Sequence, residues 1–222
     1  MLVRTPLRAS RVAPRGEPSE TERMAEILLF HHAYGLTESL RAYADRLRAE
    51  GHLVHSPDAY AGLCFARLDD GVQHAQDIGH DALADVAHRA ARQHRSATVV
   101  MGFGLGAMQA QLLAQDLPRI RGCVLMGGAL APRSLGSDWR PSVQLEVHLA
   151  EPDEWVEEES LQALRYHAPH ARVFRYANRG HLFAERDCRD WDGDAADLFE
   201  ERVDEFLAGI ASADHAVAAR GL

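Results

Sequence analysis

No stretch of the chain approaches the roughly 18 to 20 consecutive apolar residues needed to span a bilayer. Its apolar segments are short and strand-like, as at Glu26 to Phe30, so a soluble protein is expected and a membrane protein is not. Basic charge is in deficit: 24 basic residues face 33 acidic ones, a formal charge of −9, which argues against nucleic acid or an anionic membrane surface as partner. Cysteine is scarce. Cys64, Cys123 and Cys188 form no CxxC pair and no even framework, which excludes a disulfide scaffold and fits the reduced thiols of a cytoplasmic protein. Cys123 lies in an apolar run and is expected in the core. The first 23 residues hold five arginines and three prolines but no apolar segment, a composition expected of a disordered lead rather than a secretory signal. Met24 directly precedes the first strand pattern and reads as an alternative start.

With 222 residues, no internal repeat and no linker, the chain is long enough for one sizeable domain and too short for two comfortable ones. The expected organisation is a lead over 1–23, a domain over 24–210 and a frayed tail over 211–222. Short apolar runs alternate with helical periodicity, the pattern of a mostly parallel sheet of six to seven strands with helices on both faces and little or no cap. Strands are predicted at Ile27–Phe30, from Leu53 to the Ser56-Pro57-Asp58 stop, and at Ala97–Met101, Val124–Met126, Val143–Leu149 and Val173–Tyr176. Helices are predicted at about 39–50, 77–94, 106–115, 157–166 and 195–208, and 61–76 reads as a loop or short helix. The first helix has Thr37 near its start and Gly51 just past its end.

Three segments could carry chemistry. In Val99-Val100-Met101-Gly102-Phe103-Gly104-Leu105-Gly106-Ala107 an apolar strand runs into a glycine-spaced turn and a helix, the spacing of a nucleophile elbow. A dinucleotide loop is the competing reading. It belongs after a first strand rather than a middle one. Gly104 stands at the centre of the elbow and has no side chain with which to attack. The second segment, Leu145 to Trp155, ends a strand in a turn carrying Asp153; its bland reading is a helix-capping Pro-Asp turn. The third, Tyr176 to Phe183, leads a strand into a Gly-His loop, where a lone histidine among 13 is usually a surface residue. The conjunction changes the weighting: elbow, acid and histidine follow one another in hydrolase order, each at the carboxyl end of a predicted parallel strand.

Over residues 25–209 the chain resembles the dienelactone hydrolase family of α/β hydrolases. The resemblance rests on Leu29-Phe30-His31-His32-Ala33-Tyr34-Gly35-Leu36, Ser56-Pro57-Asp58-Ala59-Tyr60-Ala61-Gly62, the elbow, the Asp153 turn and Gly180-His181-Leu182-Phe183. It implies a single-domain α/β-hydrolase fold acting on a small molecule. Asp153 would orient the imidazole of His181, which would act as base. The backbone N–H of Leu105, with that of Ala33 or Tyr34, would form an oxyanion hole. Substrate-binding side chains are expected at His31, Phe103, Tyr60, Trp155 and Phe183. Three positions depart from the family: Gly104 replaces cysteine or serine, His32 replaces an acidic residue, and Glu185 replaces an arginine for a substrate carboxylate. The natural dienelactone is thus not the expected substrate.

Without a nucleophile, covalent hydrolysis is disabled. The favoured expectation is an enzyme using Asp153 and His181, with His32 as a second titrating group, for a non-hydrolytic reaction such as isomerisation, cyclisation, dehydration or epimerisation. The alternatives are a weak or inactivated esterase or lactonase, whether natural or engineered at Gly104, and a ligand-binding pseudoenzyme. Zinc or iron held by His31, His32, Asp153 and His181 is a further alternative. Adjacent His31 and His32 at a strand end point to opposite sides, so at most one of them faces the cleft easily. No metal and no cofactor are expected. A homodimer is compatible with the sequence.

Overall fold

The computed structural model describes residues 25–220. The expected lead over 1–23 and the candidate start at Met24 lie outside the described residues. Six strands, β1 Glu26–Phe30, β2 Leu53–His55, β3 Val99–Phe103, β4 Gly122–Met126, β5 Gln144–Glu151 and β6 Arg172–Ala177, form one all-parallel sheet in the order β2-β1-β3-β4-β5-β6. Six helices connect or follow them: α1 Glu38–Ala49, α2 Leu68–Ile78, α3 His80–Gln93, α4 Leu105–Asp116, α5 Glu158–His167 and α6 Gly193–Arg220. This is the α/β fold that the alternating pattern predicts.

Strand alternation sorts the core into two layers. Ile27 and Leu29 of β1 face α1 and α6, meeting Leu40, Leu47, Phe199 and Val203. Leu28 and Phe30 point the other way, toward Ala87 and Ala91 of α3, Leu113 of α4 and Leu161 of α5. Cys123 is fully buried in that second layer, and burial raises its thiol pKa. Both sheet faces are covered, which is why the central strands β3 and β4 are buried at every position. At α1 the Thr37 side chain accepts a hydrogen bond from the Leu40 N–H, and Gly51, at φ 101°, follows the helix end.

The structure changes three boundaries. Within the 61–76 segment, read as a loop or short helix, α2 begins at Leu68 and runs on to Ile78, so the helix expected over 77–94 begins only at His80, after Gly79. Gly79, at φ 83°, makes the break. The last helix runs through to Arg220, past the expected end at 208. Helix α2 does not lie on the sheet: its Ala75 packs with Tyr60 and Leu83 in a small separate cluster beside the carboxyl ends of the strands.

Candidate active site

The strand order reverses direction at β1, whose partners β2 and β3 lie on opposite sides. The chain leaves β1 for α1 on one face and leaves β3 for α4 on the other, opening a crevice above their carboxyl ends. The turn from β3 to α4 is as tight as its glycine spacing demands. A Cβ on Gly102 would lie 2.1 Å from the Gly106 carbonyl oxygen, and one on Gly106 would lie 2.4 Å from that of Phe30. Between them Gly104 adopts φ 49°, ψ −113°, a region that L side chains rarely occupy, and its N–H donates to Met126 O at 2.7 Å.

Over this turn stands His181. Asp153, in the loop after β5, accepts from its Nδ1 at 2.9 and 3.0 Å, and also accepts from the Trp155 N–H at 3.0 Å. In the neutral ring, a proton on Nδ1 satisfies this carboxylate contact and leaves the Nε2 lone pair free. A Cβ at Gly104 would lie 3.6 Å from that Nε2, 3.4 Å from His32 Cβ and 3.6 Å from Leu182 Cδ2. The pair is sheltered, with side-chain exposures of 11% for His181 and 4% for Asp153. Sequence reasoning missed Gly127 and Gly128, which follow β4 and leave room for this arrangement. A Cβ on Gly127 would crowd His181 Cε1 at 3.1 Å, and one on Gly128 would meet Ala107 Cβ at 2.6 Å. The adjacent pair of glycines directly after a buried strand was the available signal.

Two of the departures from the family pattern meet in space. His32, after β1, places Nε2 3.0 Å from Glu185 Oε2, both side chains buried, while its Nδ1 accepts from the Tyr34 N–H at 3.3 Å. Thr37 donates its hydroxyl to the other Glu185 oxygen at 2.8 Å. Burial pushes the Glu185 pKa up, but His32, Thr37 and Ser39 outweigh it and hold the carboxyl below its ordinary value. An acid at position 185 therefore goes with a basic ring at position 32.

A cavity of about 820 Å³ opens from Gly104, His32 and His181, between α2 and α4 and under the Gly127–Gly136 connection. Of the expected substrate-binding side chains, Trp155 lines it, half exposed and tilted over His181 at 5.9 Å between ring centroids. The other four are corrected. His31 faces away: its Nδ1 bonds His32 O at 2.8 Å, and its Nε2 accepts from the Ala59 N–H at 3.0 Å. Phe103 and Phe183 turn into the α1–α6 layer against Phe199, and Tyr60 is buried with its hydroxyl donating to Gly71 O. Strand alternation explains Phe103, since the neighbour of a residue facing the crevice faces the core. Ala33 and Leu105 line the cavity, whereas the Tyr34 N–H is committed to His32.

His31, whose two ring nitrogens are taken up by His32 O and the Ala59 N–H, does not join His32, Asp153 and His181 around one point. Among the described residues, Glu26, His55 and His94 bring ligand atoms within 4.8 Å of one another, beside β2 and the end of α3 and outside the cavity. There Glu26 meets His55 Nε2 at 3.0 Å, and the two imidazoles stack at 3.5 Å. No described helix is long and apolar enough to cross a membrane.

None of the curated proteins compared with the chain matches it significantly in sequence. Solved structures resemble it in fold. A protein of Klebsiella pneumoniae assigned as a dienelactone hydrolase superposes with a TM-score of 0.72 at 18% identity, covering 87% of this chain and 90% of its own. The dienelactone hydrolase-like promiscuous phosphotriesterase P91 from metagenomic libraries gives 0.69 at 17% identity over 85% and 87%. Esterase 2 of Thermogutta terrifontis gives 0.59 at 15% over 87% of each chain. The dienelactone hydrolase family profile matches residues 13–211. That span takes in the whole sheet, the Gly104 turn, Asp153 and His181, and the chain accordingly belongs to the dienelactone hydrolase family.

Proposed function

We propose that the protein is an enzyme that moves a proton next to a carbonyl group of a small organic molecule, on a hydrolase scaffold without an attacking side chain. Gly104 takes the turn position of the nucleophile. His181 Nε2 acts as the base, held by Asp153. In the first step Nε2 takes a proton from the carbon adjacent to the carbonyl, and the C–H electron pair becomes the carbon–carbon double bond of an enolate. The oxyanion accepts hydrogen bonds from the Leu105 and Ala33 amides, the donors that would otherwise serve a tetrahedral intermediate. The imidazolium then gives up the proton. Delivery to another carbon gives an isomer; protonation of the opposite face by water, with the imidazolium releasing its proton to solvent, gives an epimer; expulsion of a β-hydroxyl, protonated as water by the imidazolium, gives dehydration.

One observation carries this reading. The Nε2 lone pair, fixed by the 2.9 Å Asp153 bond, lies 3.6 Å from the point where a side chain at position 104 would begin, so a substrate atom takes the place of a nucleophile. Family membership favours a second reading, in which His181 activates water for slow ester or lactone hydrolysis. Solvent exchange separates the two. A panel of enolisable ketones and lactones is incubated in D2O and followed by NMR and mass spectrometry. Deuterium enters at the carbon next to the carbonyl with wild type and drops to the buffer rate with His181→Gln. His181-dependent ester turnover without exchange would overturn the proposal in favour of hydrolysis.

A further inference from the structure

The cavity that continues from His181 is far larger than the reacting atoms need, and its walls have a marked chemical bias. Leu105, Met108 and Leu112 form one stripe of α4, at helical i, i+3, i+7 spacing. Leu68 and Val72 of α2 face them across the cavity. Helix α2 is amphipathic, yet its apolar side chains there are only half buried, because the cavity and not the sheet lies against them. An apolar stripe left half covered beside a reaction centre is the surface that a substrate covers.

Charge points the same way. The chain contains no lysine, and among the described residues no arginine lines the cavity, whose basic groups are the imidazoles of His32, His80 and His181. Carboxylates are close by: Asp153 behind His181, Glu185 behind His32, and Asp81 at the rim in the first turn of α3. A substrate carboxylate would enter an apolar space with no lysine or arginine to receive it.

From this we infer that the substrate is an uncharged carbonyl compound bearing an extended apolar chain or ring system, which lies between α2 and α4 while its carbonyl reaches the Leu105 amide. The inference rests on the proton-transfer reading in taking the reacting group to be a carbonyl. The apolar site itself does not depend on it. Burying each methylene between the two helices tightens binding about three- to four-fold.

The test is equilibrium binding, by calorimetry at pH 8, of the 2-alkanones from 2-hexanone to 2-decanone and of decanoate, to wild type and to His181→Gln. The expected result is a dissociation constant falling about three- to four-fold per methylene in both proteins, with decanoate at least ten-fold weaker than 2-decanone. Leu112→Arg, at a half-buried wall position, is expected to reverse the preference toward decanoate. Val72→Ser, a milder change checked for folding by circular dichroism, is expected to weaken 2-decanone about ten-fold. Affinity independent of chain length, or decanoate binding as tightly as 2-decanone, would overturn the inference. Loss of isotope exchange with the chain-length dependence intact would instead remove the proton-transfer reading and leave the apolar site standing.

Discussion

Substituting Gly104 by serine asks whether the rest of a hydrolase site is in working order. The backbone there has φ 49°, ψ −113°, a sparsely populated conformation that costs an L residue about 1–3 kcal/mol, partly offset by about 0.4–1 kcal/mol from the lost flexibility of glycine in the unfolded chain. The side chain itself meets no obstruction. Its Cβ would sit at ordinary contact distances, 3.4 Å from His32 Cβ and 3.6 Å from His181 Nε2 and from Leu182. Gly104→Ser is therefore expected to fold, about 1 kcal/mol less stable than wild type in urea. From that Cβ the hydroxyl can hydrogen-bond Nε2, completing a Ser-His-Asp arrangement. A nucleophile in a complete triad contributes about 10⁶-fold to kcat, and an unrefined graft is expected to recover at least about 10³-fold on p-nitrophenyl esters. The variant should also be labelled stoichiometrically by a serine-directed phosphonate, and lose that labelling when His181 is replaced by alanine. Carbonyl isotope exchange should fall in the same variant, since the hydroxyl fills the substrate's position. A folded Gly104→Ser that neither hydrolyses esters nor takes up the phosphonate would refute the reasoning.

Asp153→Asn keeps the shape of the acid but removes the charge that fixes the His181 proton, so the exchange rate should fall by roughly 10² to 10⁴ with KM nearly unchanged, as measured by initial rates. Glu185→Leu strands buried His32 Nε2 and the Thr37 hydroxyl, and is expected to cost about 3 kcal/mol or more in urea denaturation, with Glu185→Gln costing less. His31 supplies a pH dependence: burial above all lowers its pKa from 6.5 to about 4, so between those values the unfolded chain binds the proton and the folded one does not. Stability should accordingly be complete above pH 6.5 and fall by roughly 3 kcal/mol as pH drops toward 4. His31→Gln is expected to flatten that slope in chemical denaturation at stepped pH, even if it lowers the plateau.

The parts of the site that steric necessity or chain order dictates were legible in the residues. Gly102 and Gly106 are required because any side chain there would strike backbone, and that requirement wrote the elbow into the sequence. Asp153 and His181 could be named from their order after successive strands, and they lie at hydrogen-bond distance. Which way a neighbouring residue faces was less legible. Phe103, Phe183 and His31 adjoin the site in sequence yet point into the core or toward backbone, because chain proximity does not fix side-chain direction where a strand becomes a loop. Helix α2 was hidden by Asp69, Asp70 and Gly71 in its first turns, and only its contacts at the strand ends reveal its apolar stripe. The coupling of His32 to Glu185 joins residues 153 positions apart, and no local pattern encodes it. Glu146 and His148 also escaped notice, lying fully buried on β5, where they meet each other and face Arg172 and the Tyr176 hydroxyl. Their polarity gave no hint of burial, since the partners beyond the pair itself come from β6.

Everything proposed for the chemistry depends on one proton being held on Nδ1 of His181 so that Nε2 faces the turn as a base. Nitrogen-15 NMR of selectively labelled histidine reads this directly, with His181→Gln used to assign the resonances. In the neutral ring, His181 should show a protonated Nδ1 and a bare Nε2, a pattern lost in Asp153→Ala. A neutral His181 carrying its proton on Nε2 would contradict the account, because the atom aimed at the substrate would then be a donor and not a base.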